Sequence, residues 1–158
     1  MKLIPRLHTL LLCFLIAAAF SCAHKDTASG DNTAATTDAA LNEITGHIEA
    51  GEWETARVKA ENTYASARDG MTPLQAAKLA VIYISLTSEP GINFEQFYGY
   101  ALRIVDLHDF ALANGKSTVS NYFKIIGGET MVQEAYDNCR YIISAKQKIG
   151  ADSTITFN

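Results

Sequence analysis

Residues 72–86 read Thr-Pro-Leu-Gln-Ala-Ala-Lys-Leu-Ala-Val-Ile-Tyr-Ile-Ser-Leu. Thr72 is a helix-capping residue. Pro73 suits a first helical position, where its fixed φ helps and its missing N–H costs nothing. Gln75, three residues after the cap, completes a capping box. Leu74, Ala77, Val81 and Ile84 then share one face, while Leu79, Ala80 and Ile82 fill the flanks. A helix that is apolar almost all round belongs inside other helices. This segment is therefore expected to be the most buried element of the fold.

Reading outward, the same period continues. Leu41, Ile44 and Ile48 form an amphipathic stripe, with Thr37 or Asp38 as cap and Gly51 as a left-handed stop. Trp53, Ala56, Ala60, Tyr64 and Ala67 share one face of a second helix that ends near Gly70. Downstream of the central segment, Ser88-Glu89-Pro90-Gly91 is a turn. Asn93, with Gln96 three residues on, caps a helix through Ile104 and Leu107 to Asn114-Gly115. A shorter apolar segment spans Val119 to Ile126 and stops at Gly127-Gly128. The last helix opens at Thr130, carries Val132, Ala135, Cys139, Ile142 and Ile143, and ends near Gly150. Ile155 and Phe157 alternate in a tail, 151–158, that reads as a short strand or a frayed terminus. The expected fold is all-α, with five or six antiparallel helices over 38–150.

The interval from Asp38 to Thr72 is 34 residues and holds two antiparallel helices, the period of tetratricopeptide repeats. Glu49-Ala50-Gly51-Glu52-Trp53-Glu54-Thr55-Ala56 resembles that family's Gly-x-aromatic-x-x-Ala core. There Gly allows the tight turn, the aromatic packs between helices, and Ala permits close approach. The likeness covers Leu41–Ser88 well and Asn93–Gly115 loosely. It implies helical hairpins of a degenerate repeat; an unrelated small helical bundle is the alternative.

The 158 residues begin with Lys2 and Arg6, an apolar run through Leu10, Leu11, Leu12, Phe14, Leu15 and Ile16, and then Ala19-Phe20-Ser21-Cys22. These are the parts of a secretory leader, residues 1–21. A small residue directly before Cys22 resembles the lipobox of bacterial lipoproteins, whose cysteine is acylated before cleavage. The resemblance implies lipidation of Cys22 and a hold on the bilayer through its acyl chains. The run from Leu10 to Phe20 is too short to span a membrane. Ala rather than Asp at position 23 implies, by likeness to lipoproteins of diderm bacteria, the outer membrane rather than the inner one. Residues 22–37 lack large apolar groups and read as a flexible tether of about 20 Å reach.

Losing Lys2 and Arg6 with the leader leaves 11 basic against 17 acidic residues, a net charge of −6. An acidic chain without a basic cluster has no electrostatic footprint for nucleic acid. Of the three cysteines, Cys13 leaves with the leader and Cys22 is consumed by lipid. Cys139 then has no partner for a disulfide and reads as a small buried hydrophobe.

The candidates for chemistry are sparse. Asp106, His108 and Asp109 are close in sequence, but only the two aspartates have the i, i+3 spacing of helical ligands, so a solvated helix face is expected. Glu43 and His47 form one i, i+4 pair, short of the three or four ligands of a zinc site. No Gly-x-Ser-x-Gly, phosphate loop or His-Glu-x-x-His occurs. Gly127-Gly128 precedes a helix whose acidic start, Glu129, repels phosphate and reads as a joint. Phe94 and Phe97 continue into the stripe of Ala101 and Ile104 and are expected in the core. Tyr98 and Tyr100 fall off that stripe and are the candidates for contact with a partner. Neither a catalytic set nor a cofactor is expected beyond the lipid on Cys22. The favoured function is a non-catalytic protein- or peptide-binding adaptor at the cell envelope. A subunit of an outer-membrane assembly or secretion complex is the second reading. An enzyme or small-ligand binder with a site assembled from distant residues is the third.

Overall fold

Why the chain becomes five helices follows from its caps and stops. The computed structural model describes residues 31–152, and these form α1 (Asp31–Glu49), α2 (Trp53–Ala67), a short 3-10 turn (Arg68–Gly70), α3 (Pro73–Leu86), α4 (Phe94–Ile125) and α5 (Glu129–Asp152). No strand occurs among the described residues. The fold is all-α, a small antiparallel helical bundle. The leader, Cys22, residues 23–30 and the tail positions Ile155 and Phe157 lie outside the described residues.

The two capping boxes form as the sequence reading expects, while the last helix starts at Glu129, one residue before Thr130. The Thr72 hydroxyl accepts from the Gln75 N–H at 3.2 Å, and the Gln75 side chain accepts from the Thr72 N–H at 3.0 Å. Asn93 and Gln96 make the same reciprocal pair at 2.9 and 3.1 Å. Helix α1 stops at Gly51, whose φ of 74° suits glycine. There the Gly51 N–H donates to the Ile48 carbonyl and the Glu52 N–H to His47. Those two bonds satisfy carbonyls that a helix end otherwise leaves without partners.

The boundary expected at 37/38 is corrected. Helix α1 begins at Asp31, so Asp38 is an internal residue of it and not its cap. Alanine is the best helix former, and the Ala- and Thr-containing run 31–37 needs only a tertiary contact to hold it. α3 supplies that contact. The Gln75 amide donates to the Ala34 carbonyl at 2.9 Å and to Asp38 at 3.2 Å, and Lys78 pairs with Asp38 at 2.9 Å. Thr37 is buried.

α3 is the centre of the molecule. Every residue from Gln75 to Leu86 except Lys78 is buried, because α1, α2, α4 and α5 all pack on it. Each helix contacts its successor, and α1–α3 and α3–α5 contact as next neighbours but one. The core runs from Leu41 and Ile44 through Leu79, Ile82 and Tyr83 to Ile104, Leu107, Val119 and Val132.

The break expected at Asn114-Gly115 is present as a kink. α4 runs through it, but Gly115 leaves helical geometry at φ −157°, ψ 40°. A Cβ placed at Gly115 would lie 2.5 Å from Pro73 Cβ. The start of α3 therefore crosses α4 at a position without a side chain.

Candidate functional site

α3 ends at Leu86, with the Thr87 hydroxyl donating to the Ile84 carbonyl at 2.6 Å. α4 begins after seven intervening residues and turns back along α3. α5 then lies antiparallel to α4, so that Lys146 meets Glu95 at 2.7 Å while Tyr136 meets Asp109 at 2.6 Å. Where the C-terminal end of α3 parts from α5, a groove of about 320 Å³ stays open. Ile84, Phe97, Ile104, Ala135 and Cys139 form its apolar walls, and Thr87, Ser88 and Asn138 supply polar atoms. Tyr141, three residues beyond Asn138 on α5, is 75% exposed.

Cys139 is the one ionisable side chain in that lining. Burial pushes its thiol up to about 11, so it stays protonated at neutral pH. A protonated thiol in apolar surroundings is a packing group and not a nucleophile.

The two tyrosines proposed for partner contact separate. Tyr100 is only 3% exposed, its ring 5.7 Å from that of Tyr83 and its hydroxyl donating to Glu89 at 3.4 Å. Tyr100 is a core residue, which corrects the expectation. Tyr98 is half-buried at the surface, stacked at 6.3 Å on Phe94, with the Lys146 ammonium 4.0 Å from its ring centroid. Phe94 was expected in the core with Phe97 and is instead 56% exposed. It sits in the first turn of α4, before that helix is covered.

Asp106 points to one neighbour and His108 and Asp109 to another, Tyr136 of α5, and the expectation of one solvated face is corrected at His108, which is buried. Asp106 turns to α2 and the 3-10 turn that follows it, where it accepts from Arg68 at 2.6 and 3.0 Å and from the Tyr64 hydroxyl at 2.9 Å. Hydrogen bonds from Arg68 hold its carboxyl below the usual carboxylate range, against the opposing effect of burial. Asp109 accepts from the Tyr136 hydroxyl. His108 is buried between α4 and α5, and burial lowers its pKa. Among the described residues no group of three or more His, Cys, Asp or Glu is placed to hold a metal ion. His47 pairs with Glu52 at 2.5 Å and lies 3.8 Å from Glu43. That is a polar cluster closing the α1–α2 turn.

A second, smaller cavity of about 250 Å³ lies between α2 and α4, lined by Arg57, Glu61, Gln96, Gly99, Tyr100 and Arg103. Its charges are engaged with one another: Arg57 with Glu54, Arg103 with Glu61, and Tyr83 donating to Glu61. Arg103 also covers the Tyr64 ring at 4.1 Å. The cluster joins α2 to α4 by side chains.

In comparison with known proteins, no family model, curated protein or solved structure matches the chain. No helix among the described residues is long and apolar enough to cross a membrane. The groove residues Ile84, Ala135 and Cys139 were legible as apolar positions of their helices. That they border an opening depends on how far α5 stands from α3, which no single helix encodes.

Proposed function

We propose that this chain is a lipid-anchored protein of the bacterial envelope whose helical domain is a non-catalytic adaptor. Its groove between α3, α4 and α5 receives apolar side chains of a protein or peptide partner. The observation that carries this reading is the groove itself, with five apolar walls and no reactive group. Exposed apolar concavities of this kind serve recognition more readily than bond-making. The Tyr98–Phe94 stack, on α4 with the groove residue Phe97, and Tyr141, on α5 with the groove residue Asn138, add surface rings, the residue type that anchors partners. The 34-residue period lapses once Asp38 lies inside α1, and the next-neighbour-but-one contacts of α1–α3 and α3–α5 are what support a repeat-like origin for such a surface. The leader and Cys22 support the anchor, and Ala23 supports the outer membrane.

A photo-crosslinking residue at Tyr141, in cells, tests the docking. The expected result is a discrete adduct that disappears when Asn138→Trp fills the groove, with none from a crosslinker at Lys59 on α2. Adducts that persist with Asn138→Trp, or that arise equally from Lys59, would remove the groove from the reading.

A further inference from the structure

The imidazole of His108 occupies an unusual place for a group that titrates near neutrality. The residue is 4% exposed at the α4–α5 contact. Its ring stacks on Tyr136 of α5 at 4.1 Å and faces Phe123 of α4 at 6.0 Å, nearly parallel. Its Nδ1 is buried and has no hydrogen-bond partner. The nearest carboxylate, Asp109, is 4.0 Å away, and Asp109 is already the acceptor of the Tyr136 hydroxyl. From α5 the charged groups facing this place are Asp137 and Arg140, whose guanidinium carbon lies 5.7 Å from the Tyr136 ring centroid.

We infer that His108 is a proton-operated latch: neutral, it holds the first half of α5 on α4, and protonated, it loosens that half and widens the groove. The link to the groove is direct. Tyr136 is one residue from Ala135 and three from Cys139, both of which wall it. An added charge at Nδ1 enters a site that offers aromatic faces but no acceptor in contact. Burying a charge without a hydrogen-bond partner is costly. Asp109 and Asp137 favour the cation, yet burial outweighs them and the folded-state pKa lies below 6.5. The sign follows. Above pH about 6.5 both folded and unfolded imidazoles are neutral, and α5 is fully held. As pH falls below that value the opened form takes the proton and the closed form does not, so closure weakens until the folded pKa is passed. Each pH unit in that window changes the opening equilibrium by up to about tenfold. The latch is independent of the lipid anchor, and it bears on the adaptor reading only through the width of the groove.

Hydrogen exchange of the full chain, corrected for intrinsic rates at pH 7.5 and 5.0, tests it. Amides of residues 132–139 should lose protection at pH 5.0, by at most about tenfold for each pH unit below 6.5. In His108→Phe, which keeps an aromatic ring and removes the titration, that loss should be absent. If His108→Phe does not fold, His108→Gln serves the same purpose. Equal loosening in wild type and variant would assign the effect to carboxylates and overturn the latch, and so would unchanged protection in wild type. An imidazole NMR titration placing His108 at or above 6.5 in the folded chain would overturn it too. None of these results depends on finding a partner, so failure of the latch and failure of the docking groove are distinguishable.

Discussion

Gly115 has no side chain because Pro73 stands where one would go, with its Cβ 2.5 Å from the position a Gly115 Cβ would take. Neither atom belongs to the free end of a flexible side chain, so the crossing of α3 over α4 must open to admit a methyl group. Gly115→Ala should therefore destabilise the domain by about 1–3 kcal/mol, measured by urea unfolding, the range seen when tight cores are overfilled. No change in midpoint would mean that the kink relaxes freely. The sequence marks this glycine as a punctuator, and in that sense the break was legible. Its reason was not, since Pro73 is 42 positions away. Tyr100 and His108 make the same point. Periodicity places both off or beside the apolar stripe of α4, yet α4 packs on α3 and α5 and reaches α2 through Asp106–Tyr64 and Arg103–Glu61, and a helix engaged on several sides has no free polar face. Cys139, by contrast, was readable as a packing residue, because the apolar stripe of α5 faces the core alone.

At the level of elements, caps were the most legible feature and one helix start the least. A capping box needs only residues three apart, so Thr72–Gln75 and Asn93–Gln96 are decided locally. The start of α1 at Asp31 is decided by Gln75 and Lys78 on another helix, which no local rule sees. Two predictions follow from α3. Thr72→Ala should cost about 1 kcal/mol in urea unfolding, the usual value of a side-chain cap. A loss well below half of that would show that the Pro73 start holds the helix without it. Val81 and Ile82 are 2% and 1% exposed in the middle of the same helix. An aspartate at either site has no partner for its charge, a penalty comparable to the about 5–15 kcal/mol that holds a whole domain together. Val81→Asp or Ile82→Asp should abolish the cooperative helical signal by circular dichroism. Retention of a native-like spectrum in both variants would contradict the central place of α3.

For the whole molecule, the reach of the anchor is shorter than the sequence pattern alone implies. With α1 starting at Asp31, eight residues, 23–30, stand between the proposed lipid on Cys22 and the first turn of helix. Fully extended, that length spans at most about 30 Å, against about 55 Å for the sixteen residues 22–37. In this proposal the domain works beside the membrane surface, and its acidic net charge gives it no electrostatic hold of its own there. Attachment then rests on acyl chains, two or more of which suffice for a stable anchor. The bundle has a core of its own: among the described residues the buried cluster runs from Leu41 to Cys139, with α3 enclosed by the other helices. Replacing Cys22 by Ser should therefore separate the two properties. The variant should leave the washed membrane fraction, as a soluble product or as an unprocessed precursor distinguishable by mass. Where the leader is removed, the soluble form should keep its helical spectrum and the urea midpoint of the detergent-extracted wild type. A fully processed Cys22→Ser chain that still sediments with membranes would show that something other than lipid on this cysteine holds the protein there. A soluble form that has lost its helices would show that the bundle needs the membrane to fold.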